Sequence, residues 1–164
     1  MSKLITSVEV IDLALLNDNV DPNLIKPSYI EVTQEEYILP TLTKDLYEQI
    51  VSQNTLDTLT SVNATLLNDY IKPALAFFVC VDIVDHLAIR TTNKGLMINS
   101  SETSNPATKE ERSDIKTRYR EQGQTMLDKL VRFIEHTDNN SDYPLYENGS
   151  SDVITVKLKG GIIL

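Results

Sequence analysis

The stretch Tyr70–Arg90, YIKPALAFFVCVDIVDHLAIR, constrains the fold more than any other part of the chain. Between Ala74 and Val81 it carries no polar residue. A helix that is apolar on every side has to be surrounded by other elements. From Asp82 the pattern changes. Asp82, Asp85, His86 and Arg90 fall at i, i+3, i+4 and i+8, one face of a helix, while Ile83, Val84, Leu87 and Ala88 stay apolar. The spacing predicts a central helix over about 68–92, sealed in its first half and wet along one stripe in its second. At 1.5 Å per residue such a rod is roughly 30 Å long, the span of a small domain.

The remaining chain supplies amphipathic material to cover that rod. Leu4–Leu16 mixes β-branched and aliphatic residues with Glu9 and Asp12, and suits a short strand or a first helix. Asp21-Pro22 offers an acceptor side chain followed by proline, a helix start. Ile25, Tyr29, Ile30, Val32 and Tyr37 mark its apolar side to about Leu39, and Pro40 stops it. Thr43-Lys44-Asp45 restarts a helix through Leu46, Tyr47, Ile50 and Val51. Asn63 is an N-cap for the helix entering through Leu66 and Leu67, with Pro73 bending the rod or marking a joint. Asn105-Pro106 and a capping box of Thr108 with Glu111 open a long helix over about 106–137. Ile115, Tyr119, Gln122, Met126, Leu130 and Phe133 form its seam, and its other faces are dense with charge. Tyr143-Pro144-Leu145-Tyr146 is an aromatic clip placed to lie back on the bundle.

These elements make an all-α fold: a helical bundle over 1–146, followed by a link and a strand arm over 147–164. In the arm, Ile154, Val156 and Leu158 alternate with polar residues, and the segment ends on Ile162, Ile163 and Leu164. A lone strand is marginal in water, so strand addition to another chain is one reading of these six residues. A disordered tail or a hairpin with Leu4–Val10 is the other.

The net charge of −9 argues against binding to nucleic acid through phosphates, which needs clustered Lys and Arg. The single cysteine, Cys80, lies within the apolar stretch and reads as a small core residue in a reducing compartment. The apolar run near Ala74–Val81 is far short of a membrane span. The opening residues lack the apolar region and small-residue cleavage site of a secretion leader.

The chain offers little chemistry. Asp82, Asp85 and His86 share a helix face and would hold a divalent metal if another helix added ligands. The plainer reading is a solvated edge with Asp82–His86 and His86–Arg90 as i,i+4 neighbours. His136 sits where a helix C-terminus favours a cation. Glu35-Glu36 and Glu110-Glu111 are adjacent in sequence and point apart. No phosphate loop, zinc spacing or nucleophile elbow is present. No cofactor and no enzymatic activity are expected.

The order of elements resembles the head–tail connector proteins of tailed DNA phages, in the version found in phages of Bacteroidetes-type hosts, including the crAss-like group. The residues that carry the resemblance are Asn19-Val20-Asp21 leading to Ile30, then Gln34 and Tyr37-Ile38, and the Leu42–Ile50 segment with Leu46-Tyr47. Leu66–Pro73 with the apolar helix after it, the Asn93-Lys94-Gly95 close, the long charged helix and the Tyr143–Tyr146 clip complete it. Thr43 departs from it, standing where the usual form has glycine. The resemblance implies a structural virion protein at the head–tail neck, assembled in the host cytoplasm. Copies would form a ring, expected to be a dodecamer, docked under the portal protein and carrying the next neck or tail protein. DNA would pass through the channel without specific binding. The charged faces of the 106–137 helix and Asp82, Asp85, His86 and Arg90 are candidates for lateral contacts, and Ile154, Val156, Leu158, Ile162, Ile163 and Leu164 for a partner. A non-catalytic helical adaptor that binds a partner through its C-terminal strand is the alternative.

Overall fold

Proline placement explains much of how this chain folds. A computed structural model describes residues 3–14, 20–92, 95–98, 107–136 and 138–146, by backbone alone over 88–92 and 95–98. The predicted arm, and with it Ile154, Val156, Leu158, Ile162, Ile163 and Leu164, lies outside the described residues, as does Asn105-Pro106.

The ambiguous N-terminal stretch is a helix, α1 (Ser7–Ala14). Thr6 and Glu9 cap it reciprocally: the Thr6 N–H donates to Glu9 Oε2 at 2.8 Å, and the Glu9 N–H donates to Thr6 Oγ1 at 3.2 Å. Asp21 does cap, accepting from the Asn23 N–H at 2.9 Å, but the turn it starts is a single 3₁₀ turn, Pro22–Leu24. The expected helix begins later, at α2 (Pro27–Thr33). Pro27 forces the preceding Lys26 into an extended conformation (φ −68°, ψ 144°), so no helix runs through it.

Pro40 does not stop the helix, contrary to the sequence expectation. A π-turn, Gln34–Ile38, follows α2, and α3 (Leu39–Leu42) continues from it with Pro40 in its first turn. The wide turn bonds the Leu39 N–H to the Gln34 carbonyl, five residues back. It thereby opens the space in which a proline ring would otherwise meet the previous turn. The same device recurs before Pro73. Helix α4 (Lys44–Thr55) leads to α5 (Ser61–Thr65), then to a second π-turn, Leu66–Ile71, then to α6 (Lys72–Ala88). Here the Lys72 N–H bonds to the Leu67 carbonyl. Pro73 thus marks no joint between two helices, since the helical backbone runs on through it. Thr60, not Asn63, caps α5; Asn63 is buried and donates to Gln53 Oε1 at 2.8 Å, tying α5 to α4.

Helix α6 ends at Ala88, earlier than predicted. The backbone turns extended there, as β1 (Ile89–Thr92) paired antiparallel with β2 (Gly95–Ile98), Ile89 opposite Ile98. Helix α7 (Lys109–Glu135) carries the expected capping box of Thr108 and Glu111. The bundle is otherwise helical among the described residues, as the sequence predicts.

Burial follows the apolar pattern of α6. Ala74, Leu75, Ala76, Phe78, Val79, Cys80, Val81 and Ile83 are all buried. Helices α1, α2 and α7 pack on it. The seam of α7 is rotated from the predicted one. It runs Gly123, Leu127, Leu130 and Ile134, whereas Ile115 and Gln122 are exposed and Phe133 is half-buried. The cause is Gly123. The Phe78 ring lies where a side chain at 123 would stand: a Cβ there would be 2.9 Å from the ring. Phe78 in turn stacks on Tyr37, centroids 3.9 Å apart and planes 9° from parallel.

Thr43 joins α3 to α4 at φ 68°, ψ 157°, a region that is essentially glycine's own. Its hydroxyl donates to the Leu145 carbonyl at 3.0 Å, fastening the clip. Thr43→Gly is expected to stabilise the fold by up to about 1 kcal/mol, since relief of roughly 1–3 kcal/mol of strain outweighs glycine's entropy and the lost, exposed hydroxyl bond to Leu145. Gly123→Ala should do the reverse despite alanine's better helix propensity, losing about 1–3 kcal/mol to overpacking against Phe78. Urea midpoints of the two variants check both signs.

Candidate functional site

The polar stripe of α6 is the natural place to look for chemistry, and Asp82, Asp85 and His86 each have a partner on a different element. Thr33 Oγ1 on α2 lies 2.7 Å from Asp82 Oδ2, and also 2.7 Å from the Tyr29 carbonyl. The half-buried Asp82 carboxylate thus meets a hydroxyl at the foot of the first π-turn. The His86 ring stacks on Tyr29, centroids 4.7 Å apart. Asp85 faces the other way, toward α7. It takes Lys116 Nζ at 2.8 Å and Arg112 Nε at 3.3 Å, while Arg112 also donates to the Ala107 carbonyl. The hydrogen bond from Lys116, aided by Arg112, holds the Asp85 carboxyl below the usual carboxylate range although partial burial opposes this. The side chain of Arg90 lies outside what is described.

Asp82, Asp85 and His86 therefore diverge. Two of them fasten α2 and one fastens α7. Among the described residues no group of three or more His, Cys, Asp or Glu is placed to hold a metal ion. The periodicity that put these residues on one face is real. Sequence alone gave no sign that Thr33, Tyr29, Arg112 and Lys116 wait across from them.

A similar tie holds α1. Lys72 Nζ donates to Glu9 Oε1 at 2.6 Å. Burial works against the charged form of Glu9, but the bonds from Lys72 and Thr6 outweigh it and keep its carboxyl below the ordinary range. Buried Gln34 accepts from the Leu4 N–H at 3.2 Å. The Tyr47 hydroxyl donates to Glu35 Oε1 at 2.9 Å, and its pKa is raised by burial and by that carboxylate. Cys80 is wholly buried, and burial pushes its thiol up to about 12, so it stays protonated.

The opposite end of α6 is aromatic. Tyr70, in the second π-turn, stacks on Phe133 of α7 at 4.1 Å, and Tyr143 meets Phe133 edge-on at 6.1 Å. The Tyr143 hydroxyl donates to the Val62 carbonyl at 3.2 Å, and that of Tyr146 to Glu135 Oε1 at 3.3 Å. The clip does lie back on the bundle. Beside it, Lys129, Arg132, Phe133 and His136 line an open cleft of about 420 Å³ together with Tyr70, Asp138 and Asn139. The sequence pattern hides this grouping, because Phe133 fits the spacing of the seam and its neighbours fit a solvated face. The i, i+3, i+4, i+7 spacing of Lys129, Arg132, Phe133 and His136 was the available signal. No helix among the described residues is long and apolar enough to cross a membrane.

Comparison with known proteins adds a family without a role. The chain belongs to DUF6712, a family of unknown function whose pattern matches residues 38–154. No curated protein and no solved structure matches the chain.

The two depressed carboxyls set a pH dependence. Each pKa is lower in the folded chain than in the unfolded one. Their contribution is therefore complete above about pH 5, and it is lost as pH falls through the carboxylate range near 4 and below. Asp85→Asn and Glu9→Gln should each destabilise the protein at pH 7 and flatten the loss of stability between about pH 5 and 3. Thermal melts across that range measure it, and an unchanged slope in both variants would refute the assignment.

Proposed function

We propose that this chain is a structural virion protein, one subunit of a head–tail connector ring that docks under the portal, extends the DNA channel and carries the next neck component. The observation that carries this reading is the backbone at Thr43. The resemblance puts glycine at this position, and the conformation there, φ 68° and ψ 157°, is a glycine conformation. That agreement supports aligning the chain with the connector pattern through the Leu42–Ile50 segment. The way polar groups are used supports it further. Asp82, Asp85, Glu9 and Asn63 brace helix against helix, as suits a stiff building block.

In this reading the protein acts without catalysis or a cofactor. Its place is the neck of the virion, after assembly in the host cytoplasm. Its surplus of acid, a net charge of −9, keeps passing DNA from adhering to the channel. Residues Ile154, Val156, Leu158, Ile162, Ile163 and Leu164 would add a strand to a neighbouring chain.

Electron microscopy of the purified protein mixed with its portal tests the reading. Closed rings seated on the portal are the expected result. A chain that stays monomeric with the portal and is missing from purified virions would overturn it. Deleting Val153–Leu164 should leave the melting temperature unchanged and abolish ring formation; rings that persist would remove the strand from the account.

A further inference from the structure

The cleft at Tyr70 gathers two cations, Lys129 and Arg132, on a negative protein, with one carboxylate in its lining, Asp138, whose Oδ2 lies 3.6 Å from His136 Nδ1. Lys129 sits over the Tyr70 ring, 5.1 Å from its centroid, and makes no ion pair among the described residues. Arg132 is exposed and uses Nε on the Asp128 carbonyl at 3.1 Å, and it makes no ion pair among the described residues. The nearest carboxylates on the same helix are engaged elsewhere: Asp128 with Gln124, Glu135 with Tyr146. His136 Nδ1 accepts the Asp138 N–H at 3.3 Å. The floor between these cations is the half-buried pair Tyr70 and Phe133. Such a cleft suits a carboxylate next to an apolar side chain.

The same chain presents that chemistry on α2 and the π-turn after it. Val32 is 61% exposed, more than any other large apolar residue on a described helix. Glu36, one turn on, is exposed and makes no ion pair among the described residues. The ridge and the cleft sit at opposite ends of the central rod. Around Val32 the helix is fixed by Thr33 to Asp82 and by Tyr29 to His86; the cleft is fixed by Tyr70 to Phe133. From Tyr70 to Asp82 the rod rises roughly 18 Å. One molecule therefore cannot seat its own ridge in its own cleft, whereas two copies can.

We propose that the Val32–Glu36 ridge of one copy docks in the Tyr70–Phe133 cleft of the next, with Glu36 paired to Arg132 and Lys129. Complementary patches at opposite ends of a rigid body make a head-to-tail contact, which closes into a ring or runs on as a filament. The proposal rests on the ring reading and gives it a lateral interface. Arg90 and the rest of the α6 stripe have no part in it.

Sedimentation velocity over a concentration series tests the contact with the full chain. Wild type should associate. Glu36→Arg and Arg132→Glu should each weaken association at least tenfold with unchanged circular dichroism and melting. The double variant should recover most of the loss. An equimolar mixture of the two single variants should regain association beyond dimers, since two of their four possible contacts are favourable, the wild-type pair and the reversed pair, and these alternate along the assembly. Association that ignores both reversals would overturn this contact and leave the ring reading standing. A wild type that stays monomeric alone and with the portal would overturn both.

Discussion

The structure depends on where the Phe78 ring is put. Its face lies on Tyr37, and its edge occupies the space that any side chain at position 123 would claim. Three elements are brought to contact distance by one side chain: the π-turn after α2, the central helix, and α7. Interiors pack at crystal-like density, so a ring held this way fixes the spacing of the whole bundle. It also explains a glycine in the middle of a long helix, where propensity disfavours it.

Around that point the polar residues work as clamps. Asp85 draws in the first turns of α7 and Glu9 binds the start of α1. Asn63 holds α5 to α4, and Thr43 holds the clip. These bonds are distributed so that each peripheral element has at least one directional tie as well as apolar burial. Buried groups left without partners are costly, and among the described residues no buried side-chain nitrogen or oxygen lacks one.

Much of the bundle was legible in the sequence because it rests on local periodicity. The central helix, the capping box at Thr108 and the return of the Tyr143–Tyr146 clip were read from residues a few positions apart. What was not legible depends on contacts distant in sequence. The seam of α7 was read one step off because Gly123 carries no hydrophobic signal, though its emptiness is what lets Phe78 approach. The acid stripe looked like a site or a wet edge because its partners lie on α2 and α7. Pro40 was read as a stop because proline rules assume α geometry, and the chain avoids that geometry at 34–38. The basic-aromatic cleft was hidden because its residues had been divided between a seam and a surface.

The two π-turns have a further consequence for how the chain can vary. A wide turn accommodates one additional residue while leaving the helix faces before and after it in phase. In an ordinary helix the same insertion would rotate everything downstream by about 100° and turn the core face outward. Positions 34–38 and 66–71 are thus sites where length can change by one without remaking the interior. A shorter relative would be expected to lose the extra residue and the proline behind it together, and to show an unbroken α-helix in the same place.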